Sequence, residues 1–295
     1  MIGKEESIRT FNQKEIASLL SGKSFQNENF PVASFVIKRE TKQLIRRFYF
    51  FARTADDIAD NKNLTHKTKL EILNFFDYSI KKSFKSDILV LNNLIKDFST
   101  LKFARNHSRN LLKAFKLDAK KQRYKDWKEL LFYCKYSANP VGKFFIDLTY
   151  FFANKPLINK RIITKSSDNL CTALQIINHI QDCKDDYLEL DRVYLPISLF
   201  KKYSIPVEEL KNNNSSKDFN NLKKEMINKI EKLLDYSEKG LQLIDVWRLR
   251  KETLIILNIA KRLCFLLKNN DPLKKKIKLS RIELLFCFIK GIICD

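Results

Sequence analysis

Two short stretches of the sequence carry oxygen-bearing side chains at helical spacing. In ARTADDIAD, at 52–60, Asp56 and Asp60 are four residues apart. In QIINHIQDCKDDYLELDRVYLP, at 175–196, Asn178, Asp182 and Asp186 repeat that interval. On an α-helix such residues share one face, about 6 Å apart along the axis. Mg²⁺ takes oxygen ligands, usually one or two carboxylates together with substrate phosphates. Asp56 and Asp60 (the first acidic row) and Asn178, Asp182 and Asp186 (the second acidic row) therefore predict a magnesium site.

Each row alone fits a solvated acidic patch near a helix end. Two rows change this interpretation, because like charges at this spacing destabilise a helix by a few tenths of a kcal/mol and both rows are framed by apolar residues. These are Phe50, Phe51, Ala52, Ile58 and Ala59 in the first and Ile176, Ile177 and Ile180 in the second. Carboxylates that project into a helical core need a partner that neutralises them. We therefore expect the two rows to face each other across one cavity.

Two arginines close to the rows suggest the ligand. Arg53 precedes the first row and Arg192 follows the second, and guanidinium groups bind phosphate oxygens as a fork. Metal and arginine together stabilise diphosphate as a leaving group. A cavity lined by Phe, Leu, Ile and Tyr would hold a hydrocarbon and shelter a carbocation from water. This combination predicts ionisation of a prenyl diphosphate.

The scarcity of turn-forming residues indicates the fold class. Five Gly and six Pro among 295 residues are about a third of ordinary usage, and 44% of the residues are hydrophobic. We predict an all-α, single-domain helical bundle over 1–295, with a polar N-terminal extension at 1–26 and an apolar C-terminal helix at 278–295. The predicted helices cover 38–59, 67–83, 86–104, 108–118, 126–137, 137–152, 162–188, 219–245, 247–268 and 282–294, with a short amphipathic candidate at 16–20 and a loop at 211–218.

Two segments interrupt the helical pattern. ENFPVAS, at 28–34, contains Pro31, which predicts a break just before the helix that carries the first row. SANPVG, at 137–142, contains Asn139, Pro140 and Gly142. Pro starts or kinks a helix, and Gly permits close approach of another backbone or of a ligand. A break beside a cavity and an ordinary helix junction fit this segment equally well.

The net charge of +22 is compatible with nucleic acid, an anionic membrane surface or an anionic substrate. The lysines are scattered along the helices without RGG, RNP or zinc-finger patterning. We therefore predict a generally basic, solvated surface and no nucleic-acid partner. In the basic link at 120–127, Arg123 and Tyr124 stand where they can reach an anionic ligand, although a solvated linker is the default interpretation.

The cysteines and the C-terminal tail bear on cellular location. The cysteines form no CxxC pair, which predicts reduced thiols in a cytoplasmic protein. The tail IELLFCFIKGIIC, at 282–294, is too short and too charged to span a bilayer. It either packs on the bundle or docks on the inner face of the membrane as a peripheral contact. The cysteines are Cys134, Cys171, Cys183, Cys264, Cys287 and Cys294.

The two acidic motifs resemble those of a known family. YFFARTADDIAD, at 49–60, and NHIQDCKDDYLELDRVYLP, at 178–196, are similar to the paired aspartate motifs of the squalene and phytoene synthases, and the similarity extends over about residues 28–265. ENFPVAS and YCKYSANPVG, at 133–142, resemble the hydroxysqualene synthase branch. The resemblance implies an isoprenoid-synthase bundle with a central cavity. It also implies conversion of presqualene diphosphate and water to hydroxysqualene and diphosphate in squalene and hopanoid biosynthesis, without a nicotinamide reductant.

The resemblance also implies roles for individual residues. The expected Mg²⁺ ligands are Asp56, Asp60, Asn178, Asp182 and Asp186. The expected catalytic residues are Tyr49, Arg53 and Tyr194, and the expected substrate-binding residues are Arg53, Asn139, Gln175, Arg192 and Tyr194. One position departs from the family pattern: the usual Gly before the Arg of RVYLP is Asp191 here, which adds a negative charge near the diphosphate end.

Two other functions are compatible with the sequence. As an enzyme, the chain would join two prenyl diphosphates head to head, as a presqualene diphosphate, squalene or phytoene synthase. As a non-enzyme, it would be a basic, membrane-associated assembly protein of the same fold. Such a protein is expected to have eroded acidic motifs, whereas both motifs are intact here. Under the main hypothesis, the other enzymes of the squalene route are its functional partners.

Overall fold

The computed structural model describes residues 9–21 and 39–293. Within these ranges the chain forms α-helices and no β-strand; one isolated parallel bridge joins Arg123 and Val193. The all-α prediction is confirmed. The helices are α1 (Gln13–Ala17), α2 (Arg39–Asp60), α3 (His66–Lys82), α4 (Leu89–Lys96), α5 (Lys102–Asp118), α6 (Trp127–Ser137), α7 (Asn139–Ala153), α8 (Lys160–Gln181), α9 (Cys183–Leu190), α10 (Ile197–Lys202), α11 (Lys217–Leu241), α12 (Trp247–Asn269) and α13 (Arg281–Ile293).

Most predicted helices agree with the structure to within a few residues, but two predictions are wrong. Separate helices at 86–104 and 108–118 are replaced by the short α4, a 3₁₀ turn at Asp97–Ser99 and an unbroken α5. The apolar period continues through this turn because Leu94, Phe98 and Leu101 are all buried there. The predicted helix at 162–188 is divided at Asp182 into α8 and α9.

The core consists of two groups of buried apolar side chains that meet along α7. Helices α2, α3, α4 and α5 contribute to one group, while α6, α8, α11 and α12 contribute to the other. Phe144 and Leu148 of α7 pack into the first group, and Ile146 and Tyr150 pack into the second. Because alternate positions of α7 serve opposite sides, this helix joins the half of the bundle that carries the first acidic row to the half that carries the second.

The SANPVG segment is a junction between α6 and α7. Ala138 separates the two helices, and Pro140 lies in the first turn of α7, where its missing N–H costs no hydrogen bond. A Cβ atom added at Gly142 would overlap Ser167 Oγ and Cys171 Sγ of α8. The glycine therefore allows α7 and α8 to approach closely, which supports the helix-junction interpretation.

The N-terminal segment at 9–21 packs against the bundle. Asn12 caps α1, which covers Gln13–Ala17 rather than the predicted 16–20. Phe11 and Ile16 are buried, and the backbone N–H of Ser21 donates to Asp57 Oδ2 at 3.0 Å. This segment is thus tied to the helix that carries the first acidic row. The ENFPVAS segment lies outside the described residues.

The C-terminal helix packs along α12. Arg262 of α12 pairs with Glu283 at 2.7 Å, and a Cβ atom added at Gly291 would meet the backbone of Ile255. The two helices are therefore antiparallel and in close contact. Across the described ranges, no helix combines the length and the apolar character that crossing a membrane requires.

Candidate active site

The first acidic row lies on the face of α2 that also carries two other predicted site residues. Tyr49, Arg53, Asp56 and Asp60 follow at intervals of four, three and four residues, and all four are half-buried. Arg53 pairs with Asp57 at 2.6 Å and with Asp56 at 3.2 Å. The guanidinium is therefore held beside the row, as the sequence predicts.

The apolar frame of the first row is only partly as predicted. Phe51, Ile58 and Ala59 are fully buried, which fixes the opposite face of α2 in the core. Phe50 is instead 49% exposed, because its position on the helix points away from both core groups. The prediction that Phe50 frames the row in the core is therefore wrong.

The second acidic row keeps one face despite the interruption at Asp182. The backbone N–H of Asp182 donates to Asn178 O at 2.9 Å, and the N–H of Asp186 donates to Asp182 O at 2.8 Å. Helical hydrogen bonding thus continues across the break. Gln175, Asn178, Asp182 and Asp186 are all half-buried along this face, while Ile176, Ile177 and Ile180 are fully buried behind it.

One buried arginine joins the two motifs. Arg192 Nη1 donates to Asp60 Oδ1 at 2.8 Å, and Nη2 donates to the backbone carbonyl of Asp118 at 3.1 Å. Arg192 Nη1 also contacts the Tyr194 hydroxyl at 3.0 Å. The segment after α9 is therefore fastened to the C-terminal end of α2. The two motifs therefore lie side by side, and the cavity expected between the two acidic rows stays a prediction.

Asp118, at the C-terminal end of α5, is a second buried carboxylate beside this arginine. Its oxygens accept hydrogen bonds from Tyr133 Oη and Tyr194 Oη, both at 2.8 Å. Burial raises the pKa of Asp118 to about 6, and the neighbouring Asp60 contributes to that rise, while Arg192 and the two tyrosines oppose it. At neutral pH the carboxylate is ionised and holds both phenol groups in fixed orientations.

Aromatic rings pack around Tyr194. The His179 ring stacks on it with centroids 3.6 Å apart, and the Tyr124 ring stacks on it at 5.3 Å. Burial, followed by the charge of Arg192, lowers the pKa of His179 to about 3, so its ring is neutral. Tyr124 is only 1% exposed. The suggestion that Tyr124 reaches an anionic ligand is therefore wrong; it supports Tyr194 from the core.

Unbalanced negative charge remains at the ends of both rows. Burial raises the pKa of Asp56, and the charge of Asp60 raises it further although Arg53 opposes the change. Burial also raises the pKa of Asp186, with further contributions from Asp182 and Asp60. Because Asp60 contributes to the raised pKa of Asp186, the second row lies within range of the charge of the first.

The donor set fits a hard divalent cation bound together with a phosphate ligand. Within 9–21 and 39–293, no three carboxylate, imidazole or thiolate side chains converge closely enough to hold an ion by themselves. Mg²⁺ does not require such a cage, since it retains waters and takes substrate phosphate oxygens. Cationic side chains occupy the rows instead: Arg53 against Asp56, Arg192 against Asp60 and Lys276 against Asp182, the last at 2.5 Å.

The backbone conformation at position 191 explains how Asp can stand where the family usually has Gly. Asp191 has φ 49°, the left-handed conformation in which Gly is favoured and Asp is among the tolerated alternatives. Its side chain is exposed and pairs with Arg123 at 2.5 Å. Asp191 therefore directs its charge away from Arg192. Arg123 is engaged by Asp191, so the solvated-linker interpretation is the better one for this arginine.

Asn139 lies at the α6–α7 junction and is only 7% exposed. Its Oδ1 accepts a hydrogen bond from Thr172 Oγ1 of α8 at 3.0 Å. This contact gives the residue a structural role between α7 and α8. Its assignment to substrate binding stays a prediction.

A mostly apolar cavity lies between α2, α7 and α12, with exposed Arg248 and buried Glu252 also in its lining. Its volume is about 190 Å³, and its walls include Ile45, Leu148, Phe152 and Leu249. Ile45 and Asp56 are eleven residues apart on α2, so this wall of the cavity lies roughly 16 Å along the helix from Asp56. Ligand pockets usually measure roughly 300–1,000 Å³. A triterpene-sized hydrocarbon would therefore have to displace some of these wall side chains.

Four residues of the site were not predicted from sequence: Asp118, Tyr133, His179 and Lys276. Tyr133 stands inside YCKYSANPVG, which signals the resemblance but gives the tyrosine no role. Asp118 ends an ordinary amphipathic helix and reaches the site only through packing of α5 against α2. Neither Asp118 nor Lys276 has a local sequence pattern that distinguishes it from a surface charge.

Solved structures share this fold. The squalene synthase of Alicyclobacillus acidocaldarius superposes with a TM-score of 0.71 over 87% of this chain and 92% of its own, at 21% identity. A dehydrosqualene synthase in complex with a ligand superposes with a TM-score of 0.75 over 95% of both chains, at 20% identity. At these identities the likeness shows the terpenoid-synthase helical fold.

Sequence relatives are closer. The hydroxysqualene synthase of Zymomonas mobilis is 35% identical over 282 residues, covering 95% of this chain and 92% of its own. That of Rhodopseudomonas palustris is 36% identical over 267 residues, covering 90% and 88%. The model of the family described as squalene/phytoene synthase matches residues 26–283. With both acidic motifs intact and joined at one site, the chain belongs to the squalene/phytoene synthase family.

Proposed function

We propose that this protein is a hydroxysqualene synthase, which converts presqualene diphosphate and water to hydroxysqualene and diphosphate. The observation that carries the reaction class is the pair between buried Arg192 and half-buried Asp60, which brings the two acidic motifs together. The choice of product is supported by relatives named hydroxysqualene synthase that are 35–36% identical over at least 90% of this chain.

The acidic rows would hold the cofactor Mg²⁺ at the diphosphate end. Asp56 and Asp60 would act from α2, with Asn178, Asp182 and Asp186 acting from α8 and α9. Bound Mg²⁺ would neutralise the diphosphate and stabilise it as a leaving group. The cationic partners Arg53 and Arg192 would bind the remaining diphosphate oxygens.

The reaction would then depend on how the chain binds the hydrocarbon, stabilises the carbocation and excludes bulk water. The carbon–oxygen bond of presqualene diphosphate breaks, and its electron pair leaves with the diphosphate. The resulting carbocation rearranges and is captured by water, which loses a proton. Buried aromatic rings near Tyr194 would stabilise the cation, and the apolar cavity by Ile45 and Leu249 would bind hydrocarbon and restrict access of bulk water.

The predicted catalytic and substrate-binding residues would keep these roles. Tyr49 and Arg53 share the α2 face with the first row, and Gln175 shares the face of the second row. Tyr194 is held by Asp118 and Arg192. The protein would work in the cytoplasm, with a peripheral contact on the inner face of the membrane, beside the other enzymes of the squalene route.

Product analysis tests the proposal. The purified protein with Mg²⁺ is incubated with presqualene diphosphate and, separately, with farnesyl diphosphate. We expect hydroxysqualene and diphosphate from the first reaction. Consumption of farnesyl diphosphate without turnover of presqualene diphosphate would instead identify a head-to-head synthase. Turnover of neither substrate by a folded protein would support the non-enzymatic assembly protein. Asp182→Ala should abolish turnover, with the exposed neighbour Asp185→Ala as its matched control.

A further inference from the structure

Helix α13 has an apolar face that no part of the described chain covers. Cys287 and Gly291 of α13 are buried against α12. At about 100° per residue, the exposed apolar side chains form one continuous arc on the opposite side. A helix that is apolar all round is normally buried, whereas α13 packs on one side only. The arc consists of Ile282 (68% exposed), Leu285 (58%), Phe286 (67%), Ile289 (41%), Ile292 (37%) and Ile293 (73%).

The charges around this face identify what would cover it. Between 272 and 293 the only acid is Glu283, which is paired with Arg262. A second copy of the chain would bring like charges together across the face. A partner surface that is apolar would cover the exposed arc, and one that is negatively charged would attract the basic residues. An anionic lipid bilayer has both properties. The basic residues of this region are Lys274, Lys275, Lys276, Lys278, Arg281 and Lys290.

We infer that α13 docks in the plane of an anionic membrane surface. At 13 residues the helix is about 20 Å long, which suits an interfacial helix and not a spanning one. The apolar arc enters the boundary between headgroups and acyl chains. Lys274, Lys275 and Lys278 are exposed on the preceding segment at 271–280, here called the basic strap, and lie against the anionic headgroups.

The basic strap connects the docking helix to the second acidic row. Gln181 Nε2 donates to Ile277 O at 2.5 Å, and Lys184 Nζ donates to Leu273 O at 3.3 Å. Lys276 pairs with Asp182 between these two anchors. Ile277 is four residues before the first residue of α13, so the two positions are at most about 14 Å apart. Docking would therefore hold the second acidic row close to the membrane surface.

Vesicle co-sedimentation of the full chain tests the docking. Vesicles of phosphatidylcholine alone are compared with vesicles of phosphatidylcholine and phosphatidylglycerol. The test variant is Leu285→Glu with Phe286→Glu. Its matched control is Leu89→Glu with Phe132→Glu, which changes the same residue types at similar exposure, 60% and 53%, on α4 and α6. Because all four side chains are exposed, both variants should fold, which circular dichroism verifies.

We expect binding to the anionic vesicles, weakened at least about tenfold by the α13 variant and unchanged by the control. Neutralising Lys274 and Lys278 as Gln should weaken binding by about fivefold per charge. Equal binding by the test and control variants would overturn the inference. So would a lack of binding to either vesicle, or a dimer in solution that the α13 variant dissociates.

The link to the acidic row rests on the proposed function and is tested separately. Turnover of presqualene diphosphate is measured in anionic vesicles and in detergent micelles. We expect the α13 variant to lose most of its turnover in vesicles and to retain it in micelles, where docking is not needed. Equal turnover in both formats would overturn the link. If the wild-type protein showed no turnover in either vesicles or micelles, the proposed function would be contradicted. The docking would still be tested, because vesicle binding does not depend on turnover.

Discussion

Arg192 Nη1 lies 2.8 Å from Asp60 Oδ1, although the two residues are 132 positions apart in the sequence. The same guanidinium reaches the backbone carbonyl of Asp118 and the hydroxyl of Tyr194. Arg192 is only 5% exposed, so this fork is shielded from water and from salt. It sets the relative position of the two acidic motifs before any substrate binds.

Replacing Arg192 with Lys should remove this arrangement while keeping the charge. A lysine ammonium is a point charge and cannot serve Asp60, Asp118 and Tyr194 with a planar fork. We expect kcat to fall by roughly 10²–10³, with a loss of about 1–3 kcal/mol in the free energy of unfolding. Steady-state turnover and urea denaturation measure the two effects.

The control for this substitution lies on the link between α5 and α6, which the Arg123–Val193 bridge joins to the segment of Arg192. Arg123→Lys changes an arginine whose partner, Asp191, is exposed, and exposed ion pairs contribute ~0–1 kcal/mol. Turnover should be unchanged in this variant. If Arg192→Lys behaved like Arg123→Lys, the fork would not position the site.

The raised pKa of Asp118 predicts a specific pH dependence. A carboxyl whose pKa is higher in the folded state binds its proton more tightly when folded. Protonation of Asp118 therefore favours the folded state at low pH, and this contribution is lost as the pH rises from about 4, the usual range, to about 6. The loss is on the order of 3 kcal/mol. Asp118→Asn should flatten the change in unfolding free energy between pH 4 and pH 6.

Activity should respond to Asp118 in the opposite direction. The ionised carboxylate accepts hydrogen bonds from Tyr133 and Tyr194, and protonation removes part of that acceptor capacity. We therefore expect turnover to decline below about pH 6 in the wild-type protein. A pH–rate profile without this decline would show that the tyrosine orientation does not depend on Asp118.

Local pattern predicted the helices and both acidic rows, but not the groups that surround them. Asp56 and Asp60 are evident because their spacing is visible within one helix. Asp118 and Lys276 come from distant segments, and only tertiary packing brings them to the rows. The break at Asp182 was missed because the i to i+4 hydrogen bonds continue through it. Side-chain orientation at Phe50 was missed because an apolar residue type does not determine which face a helix buries.

The left-handed conformation of Asp191 predicts a tolerant position. Gly adopts φ near +50° without the steric cost that other residues incur, and the Asp191–Arg123 pair is too exposed to contribute much. Asp191→Gly should therefore keep full turnover and change the unfolding free energy by less than about 1 kcal/mol. Asp191→Val is the contrasting variant, because a β-branched side chain is strained there. Equal stability of the Gly and Val variants would contradict the backbone argument.

Removal of metal should reveal the unbalanced charge of the acidic rows. The pKa values of Asp56 and Asp186 are raised first by burial and then by neighbouring carboxylates, so their ionised forms oppose folding above the usual pKa range. Asp186→Asn should therefore raise the melting temperature in EDTA at pH 8.

Mg²⁺ at ten times its dissociation constant should stabilise the wild-type protein by about 1.4 kcal/mol, and Asp186→Asn should reduce that gain. Asp185→Asn, at an exposed neighbouring position, is the control and should leave both values unchanged. If adding Mg²⁺ and diphosphate together left the melting temperature of the wild-type protein unchanged, the rows would not bind the cation.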